Sequence, residues 1–254
     1  MPTERVFFVP DLHAPYEDKR ATALMFDAMS AFGPDTVVII GDFLDCFAVS
    51  HYSKDPRRIQ GLDREVAHAT ALLDKIEAKR KVYVCGNHED RLQRYLEDKA
   101  PELMPFIDIP RILGLEERGW EWVPYKQSTQ VGKLYVTHDV GTATRYTVFK
   151  VLDVFQSSVV SGHTHRLAYV VEGDATGAQQ VSAQFGWLGD VSQVDYMHRV
   201  NALRHWALGF GTGLHDTTTG LVYLTPHPIV DYTVSVNGCV LKRKSKKGPQ
   251  VVAR

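Results

Sequence analysis

Nine polar residues stand in five short blocks along the chain: Asp11 and His13, Asp42 and Asp45, Asn87 and His88, His138, and His163 with His165. Asp, Asn and His in excess over Cys suit borderline-hard divalent ions such as Mn²⁺, Fe²⁺ or Zn²⁺, rather than a thiolate zinc site or an all-oxygen calcium cage. So many donors exceed what one catalytic ion with open positions can use. They suit two ions about 3.5–4 Å apart sharing one carboxylate, a recurrent device for in-line displacement at phosphorus. Each block taken singly is weak. A lone Asp-X-His is usually structural or accidental, and a lone Gly-Asp-X-X-Asp is usually a turn. The force lies in their order and setting.

That setting is a series of short apolar runs, Val6–Val9, Thr36–Ile40, Val82–Cys85, Leu134–Thr137 and Ser158–Ser161, each followed at once by one of the blocks. The runs are rich in Val and Ile and too short for helices, which suits strands buried on both faces. Residues 18–32 carry Leu24, Met25, Ala28, Met29 and Phe32 at helical spacing, and Leu62, Val66, Ala69, Leu72, Leu73 and Ile76 mark a second amphipathic helix. Strand and helix alternation argues for right-handed βαβ units, whose strand ends lie side by side and bring distant blocks together. Gly41, Gly86 and Gly162 let the chain turn sharply as it leaves a strand. After about residue 165 the helical periodicity fades. Tyr169–Val171, Gln180–Phe185, His205–Gly213 and Leu221–Leu224 read as strands of a second, mixed or antiparallel sheet.

With 254 residues, 44% hydrophobic and 23% charged, the chain fits one ordinary globular domain; disorder, collagen and coiled coil are excluded. No apolar run approaches the ~20 residues of a membrane span. The apolar run before Asp11 is shorter than a secretory signal core, so a cytoplasmic location is expected. Cys46, Cys85 and Cys239 cannot all pair; two lie in apolar stretches and read as reduced filler. A net charge of −1 names no partner. The one asymmetry is 242–247, with five cations in six residues. The expected organisation is therefore a domain over 1–238 and a basic, mobile tail over 239–254, solvated rather than docked on nucleic acid.

Asp11-Leu12-His13, Gly41-Asp42-Phe43-Leu44-Asp45, Gly86-Asn87-His88-Glu89, His138 and Gly162-His163-Thr164-His165, in this order, resemble the calcineurin-like metallophosphoesterase superfamily over roughly residues 5–170. The chain is similar to its small bacterial and phage-type members. The resemblance implies an α/β fold, a double β-sheet sandwich flanked by helices in four αββα layers, with a binuclear centre at the strand ends. It implies that Asp11, His13 and His165 hold one metal, that Asn87, His138 and His163 hold the other, and that Asp42 bridges them. His88 would be the unliganded acid beside the leaving group, oriented by Asp45. Two divalent ions are the implied cofactors, Mn²⁺ first, with Fe²⁺, Zn²⁺ or Ni²⁺ as alternatives.

Two departures bear on the substrate. Protein phosphatases of the superfamily carry Arg directly after the second Asp of the second block, where Cys46 stands here, and they usually lack the last His, which His165 supplies. Both lean towards a phosphodiesterase acting on nucleotides or nucleic acid, with phosphomonoesterase or phosphoprotein phosphatase as the alternative. Repair nucleases of the superfamily are longer and often have His where Asp45 stands, which argues against a dedicated repair enzyme. A non-catalytic scaffold is the reading from another class, and the retained ligand set weighs against it. Arg91 and Arg94 read as salt-bridged helix residues, while Arg166 is balanced between that and a phosphate clamp. His51, His68, His198, His205, His215 and His227 read as structural or exposed, and Trp187, Tyr196 and Trp206 as core. The segment 180–215 is expected to wall the cleft.

Overall fold

The computed structural model describes residues 2–51, 61–173, 175–193 and 205–244, together with the backbone of 247–252. Tyr196, His198 and Lys246 lie outside the described residues. The chain opens with β1 (Thr3–Val9), then α1 (Lys19–Phe32), β2 (Thr36–Ile39), α2 (Leu62–Leu73), β3 (Arg80–Val84), α3 (Asp90–Lys99), α4 (Ile109–Leu113) and β4 (Trp120–Val123). It continues with β5 (Ser128–Val131), β6 (Leu134–Thr137), α5 (Thr147–Phe155), β7 (Val159–Ser161), β8 (Leu167–Gly173) and β9 (Gln179–Phe185). It closes with β10 (Gly209–Asp216), β11 (Val222–Pro228), β12 (Thr233–Val236), β13 (Cys239–Lys244) and β14 (Lys247–Val252). Local chemistry sets the helix limits: the Asp18 carboxylate accepts the Arg20 and Ala21 amides to start α1, and Gly33, at φ 63°, ends it.

Side chains of β1, β2 and β3 alternate between two cores, as the strand period demands. Val6, Phe8, Val38, Ile40, Val82 and Val84 face Leu134, Val136, Val160, Ala183 and Phe185 of a second sheet. Phe7, Val9, Val37, Ile39 and Tyr83 face the other way, onto Leu24, Met25 and Ala28 of α1 and Leu72 and Leu73 of α2. Val151 and Leu152 of α5 cover Val159 on the far side of the second sheet. The layers therefore run helix, sheet, sheet, helix. No helix among the described residues is long and apolar enough to cross a membrane.

The first sheet has the order β11-β10-β1-β2-β3-β4 and the second β5-β6-β7-β9-β8. β1 to β4 run parallel, as do β6, β7 and β9, while β10 returns antiparallel beside β1. This corrects the expected pairing of the later strands. β8 and β9 do complete the second sheet, but β10 and β11 leave it and extend the first, because Phe210 stacks on Phe7 at 5.0 Å within the helix-side core.

The expected tail is also corrected in its first half. Residues Cys239–Lys244 form β13, paired with β12 and β14 in a small third sheet. That sheet packs on α1: Val234, Val236 and Leu241 join its core, and Arg243 donates to both Asp27 carboxylate oxygens at 2.6 and 3.0 Å. Arg20 donates to the Arg243 carbonyl at 2.8 Å and lies 3.5 Å from the Tyr232 ring centroid. Of the basic run, Arg243 is thus a paired, structural cation.

Candidate metal centre

Five strands deliver the nine residues. The ends of β1, β2 and β3 carry Asp11 and His13, Asp42 and Asp45, and Asn87 and His88; β6 and β7 carry His138, and His163 with His165. Three of these strands belong to one sheet and two to the other, so the blocks meet across the sandwich rather than along one sheet. The exits are abrupt. His13, Asp42, Cys46, His163 and His165 hold φ values of 58°, 51°, 52°, 69° and 57°. Such left-handed conformations cost non-glycine residues about 1–3 kcal/mol each and cluster where function over-determines the backbone. Of the three glycines, only Gly41 has positive φ. Gly86 and Gly162 are required by close approach instead: a Cβ on Gly86 would overlap the Asp42 carboxylate, and one on Gly162 would crowd Asp11 and His138.

Three groups of donors result among the described residues, and Asp42 belongs to two of them. Asp11, His13, Asp42 and His165 offer ligand atoms within 4.8 Å of one another, as do Asp42, His138 and His163, and His13, Asp45 and His88. In the first group the Nε2 atoms of His13 and His165 converge to 3.1 Å, and His165 Nε2 lies 3.3 Å from Asp11 Oδ2. Asp11 is fully buried with neither carboxylate oxygen hydrogen-bonded. A carboxylate so desolvated and unbonded is otherwise very costly, and it fits a site built for a cation. In the second group His138 Nε2 lies 3.3 Å from Asp42 Oδ2, and Asn87 Oδ1 sits 3.1 Å from His138 Nε2 and 2.7 Å from His163 Nδ1. The donor set fits two divalent ions; the residues present do not distinguish Mn²⁺ from its alternatives.

The rings are held from behind. His138 Nδ1 donates to the Ile40 carbonyl at 2.8 Å, which turns Nε2 towards Asp42 and Asn87. His13 Nδ1 bonds Asp45 Oδ2 at 3.2 Å. His165 stacks on Trp187, with centroids 4.7 Å apart and an 11° interplanar angle, and Trp206 meets it edge-on at 4.4 Å. Trp187 is therefore core, as expected, and that core grips a site histidine.

Charges inside the pocket offset one another. Burial pushes the Asp42 carboxyl up, but His138 and His88 outweigh it and hold it well below the carboxylate range. Asp45 is held well below by His88 and His13 against the same burial, and Asp11 is lowered by His165 and His138. His138 responds in kind: burial disfavours its cation, yet Asp42 and Asp11 raise its pKa to about 10. Protons on imidazole thus balance the carboxylates, and a bound dication would displace them.

His88 lies outside the two groups that share Asp42 and falls in the third, with His13 and Asp45. Its Nδ1 lies 3.2 Å from Asp45 Oδ2, within ion-pair reach though not aligned as a hydrogen bond, and its Nε2 lies 3.0 Å from Arg91 Nη2 and 3.8 Å from Asp42 Oδ2. Asp45 thus serves two histidines, His13 as well as His88. Arg91 Nη1 donates to Asp45 O and Oδ1 at 3.0 and 3.1 Å, and Arg94 pairs with Asp90. Cys46 is fully buried in the helix-side core, so no cation takes its place there.

Two buried glutamates complete the site, and neither was singled out from the sequence. Glu89 accepts the amides of Asp42, Leu44 and Gly86 at 2.9–3.0 Å and the Tyr83 hydroxyl at 2.7 Å. Glu65 accepts the amides of Phe47 and Ala48 at 3.0 and 2.9 Å. Together they hold the loop after β2 from both ends. A signal existed: Glu65 lies four residues before Ala69 and seven before Leu72, a charge on the apolar face of its helix. The remaining described histidines stand away from the two donor groups, with His68 against Glu17, His215 against Glu4, and His227 between Thr212 and Ser235. His51 and His205 are exposed. Of the segment 180–215, Trp187 and Trp206 border the centre, while 194–204 lie outside the described residues.

Residues 4–167 match the model of the calcineurin-like phosphoesterase family. The chain is 25% identical over 262 residues to the Gene 54 protein of Mycobacterium phage D29, covering 94% of this chain and 98% of that protein. The Gene 54 protein of Mycobacterium phage L5 is 24% identical over 258 residues, with the same coverage, 94% and 98%. Among solved structures, an archaeal phosphodiesterase aligns at 14% identity and a TM-score of 0.42, covering 87% of this chain and 98% of that one.

Proposed function

The chain belongs to the calcineurin-like phosphoesterase family and hydrolyses phosphoester bonds, and from that membership we propose a binuclear phosphodiesterase acting on nucleotides or nucleic acid in the cytoplasm. The observation that carries the two-ion reading is Asp42, whose carboxylate belongs to both donor groups. Asp11, His13 and His165 would hold one ion, Asn87, His138 and His163 the other, and Asp42 would join them. When bound, two divalent ions, Mn²⁺ first among them, supply Lewis acidity at the phosphoryl oxygens and a water nucleophile near neutral pH.

The chain's own residues do the rest. The left-handed exits and the two glutamates fix the donors before substrate arrives, so little reorganisation remains in the transition state. His88 lies outside the two donor groups that share Asp42, and it donates a proton to the departing oxygen. Asp45 and Arg91 hold its ring. The diester preference is supported by charge: Cys46 is buried and Arg91 is engaged with Asp45, so neither offers a free cation for a doubly charged monoester.

The test is a Mn²⁺-supplemented panel of bis-p-nitrophenyl phosphate, p-nitrophenyl phosphate, cyclic nucleotides, single-stranded DNA and a phosphopeptide. The diester is expected to show the higher kcat/KM. A tenfold or greater preference for the monoester would replace the diester reading with the phosphomonoesterase one.

A further inference from the structure

Two imidazole rings converge on one carboxylate oxygen beside the centre. Asp45 is buried, and its Oδ1 accepts from Arg91 Nη1 at 3.1 Å. Its Oδ2 faces His13 Nδ1 at 3.2 Å and His88 Nδ1 also at 3.2 Å. The ring centroids stand 4.4 Å apart and the planes cross at 73°, so both rings bring their Nδ1 edge to the same atom. The other nitrogens look elsewhere. His13 Nε2 lies 3.1 Å from His165 Nε2, in the first donor group, and His88 Nε2 lies 3.0 Å from Arg91 Nη2. Of the two Nδ1 atoms, only that of His13 is aligned with Asp45 as a hydrogen bond. His88 Nδ1 is buried and makes none. A buried polar atom left unpaired in a native site calls for a partner, and an ion is one such partner.

The spacing suits a cation. Two donors 3.2 Å apart, each about 2.1 Å from a shared ion, subtend about 100° there, between the octahedral and tetrahedral angles. Ligand atoms of all three residues lie within 4.8 Å of one another. The donor types choose the ion. Two imidazoles and one carboxylate suit Zn²⁺ or Ni²⁺, whereas Mn²⁺ prefers carboxylate, carbonyl and water oxygens.

We propose that His13 Nδ1, Asp45 Oδ2 and His88 Nδ1 form a third cation site beside the binuclear centre, one that takes Zn²⁺-class ions and leaves Mn²⁺ out. The ion replaces the His13 Nδ1 proton, which passes to solvent, and the His13 ring then joins it to the first ion through Nε2. At His88 the ion takes Nδ1, so the ring no longer forms the imidazolium that protonates the leaving oxygen. Filling the site turns the enzyme off when such ions are in excess. The inhibition rests on the hydrolase reading above, but the binding does not.

The experiment is equilibrium dialysis of the full chain, wild type and His88→Ala, against excess Zn²⁺ and separately against excess Mn²⁺. The wild type is expected to hold three Zn²⁺ but two Mn²⁺, and His88→Ala two of either. Exposed histidines such as His51 and His205 add Zn²⁺ equally to both proteins, so the difference between the two is the readout. Zn²⁺ raised beyond the second equivalent should lower wild-type kcat on an alkyl diester by about 10²–10⁴-fold, and by less on bis-p-nitrophenyl phosphate, because it removes the proton donor. Equal Zn²⁺ counts in the two proteins overturn the site. So does loss of one ion of each metal in His88→Ala, which would make His88 a ligand of the binuclear centre. If the wild type holds fewer than two Mn²⁺, or cleaves neither diester, the binuclear or the hydrolase reading fails by itself, and the Zn²⁺ difference still decides the third site. If His88→Ala does not fold, wild-type crystals soaked in Zn²⁺ decide it. A zinc-edge anomalous peak between Asp45 Oδ2 and the two Nδ1 atoms supports the site, and its absence overturns it.

Discussion

His88 has two jobs open to it, metal ligand or proton donor. It lies outside the two groups that share Asp42 but forms a third with His13 and Asp45, with one ring nitrogen facing Asp45 and the other near Arg91, so Mn²⁺ content and turnover must be read together. A positioned acid contributes about 10²–10⁴-fold, so His88→Asn is expected to keep its metal content and lose two to four decades of kcat. The loss should be larger on alkyl diesters than on p-nitrophenyl ones, whose leaving group needs little protonation. Loss of an ion, or the same factor on both leaving groups, would remove the proton-donor role. Asp45→Asn is a broader lesion than its place in the motif suggests, because Asp45 also holds His13. It should weaken metal binding as well as slow turnover. The blocks that carry the candidate donors were legible because their types and order are distinctive. Partnerships such as Asp45 with His13 were not, since they depend on how two loops meet in space.

The loop after β2 depends on charges from other elements. Glu65 reaches it from α2 and Glu89 from the turn before α3. Glu65→Gln puts an amide donor against a backbone N–H, leaving a buried group unsatisfied at a cost of about 1–3 kcal/mol. The expected outcome is a lower melting temperature together with a fall in kcat on the diester, because the same loop carries Asp45. A variant with wild-type stability and turnover would show that Glu89 alone suffices. The five site strands were legible because each is a continuous apolar run with its polar block at the end. The return of β10 and β11 to the first sheet was not, because strand partners are chosen by long-range packing, here Phe210 on Phe7. Nor was β13: Val240 and Leu241 are short apolar content just before a basic run, and only Asp27 on α1 turns Arg243 into a structural residue.

The sandwich unites these parts through the core between its sheets, and the third sheet clasps α1 from outside. Removing residues 239–254 takes away buried Leu241 and the Arg243–Asp27 pair. Burial of one such side chain is worth about 1.5–3 kcal/mol, so a drop of about 4–8 °C in melting temperature is expected. An unchanged melting temperature would restore the view of this segment as a solvated tail. Bound ions should act in the opposite direction. The donors come from both sheets, so each ion ties the sandwich together and adds about 2.7 kcal/mol at a hundredfold excess over its Kd.

All of this turns on whether Asp42 joins two ions. Equilibrium dialysis of Mn²⁺ against the wild type and Asp42→Asn, side by side, measures it directly. The wild type is expected to hold two ions per chain, and Asp42→Asn fewer, because the substitution removes the negative charge shared by both donor groups. No bound ion, or a single one, in the wild type would contradict the binuclear centre. Two ions retained in Asp42→Asn would contradict the bridging role.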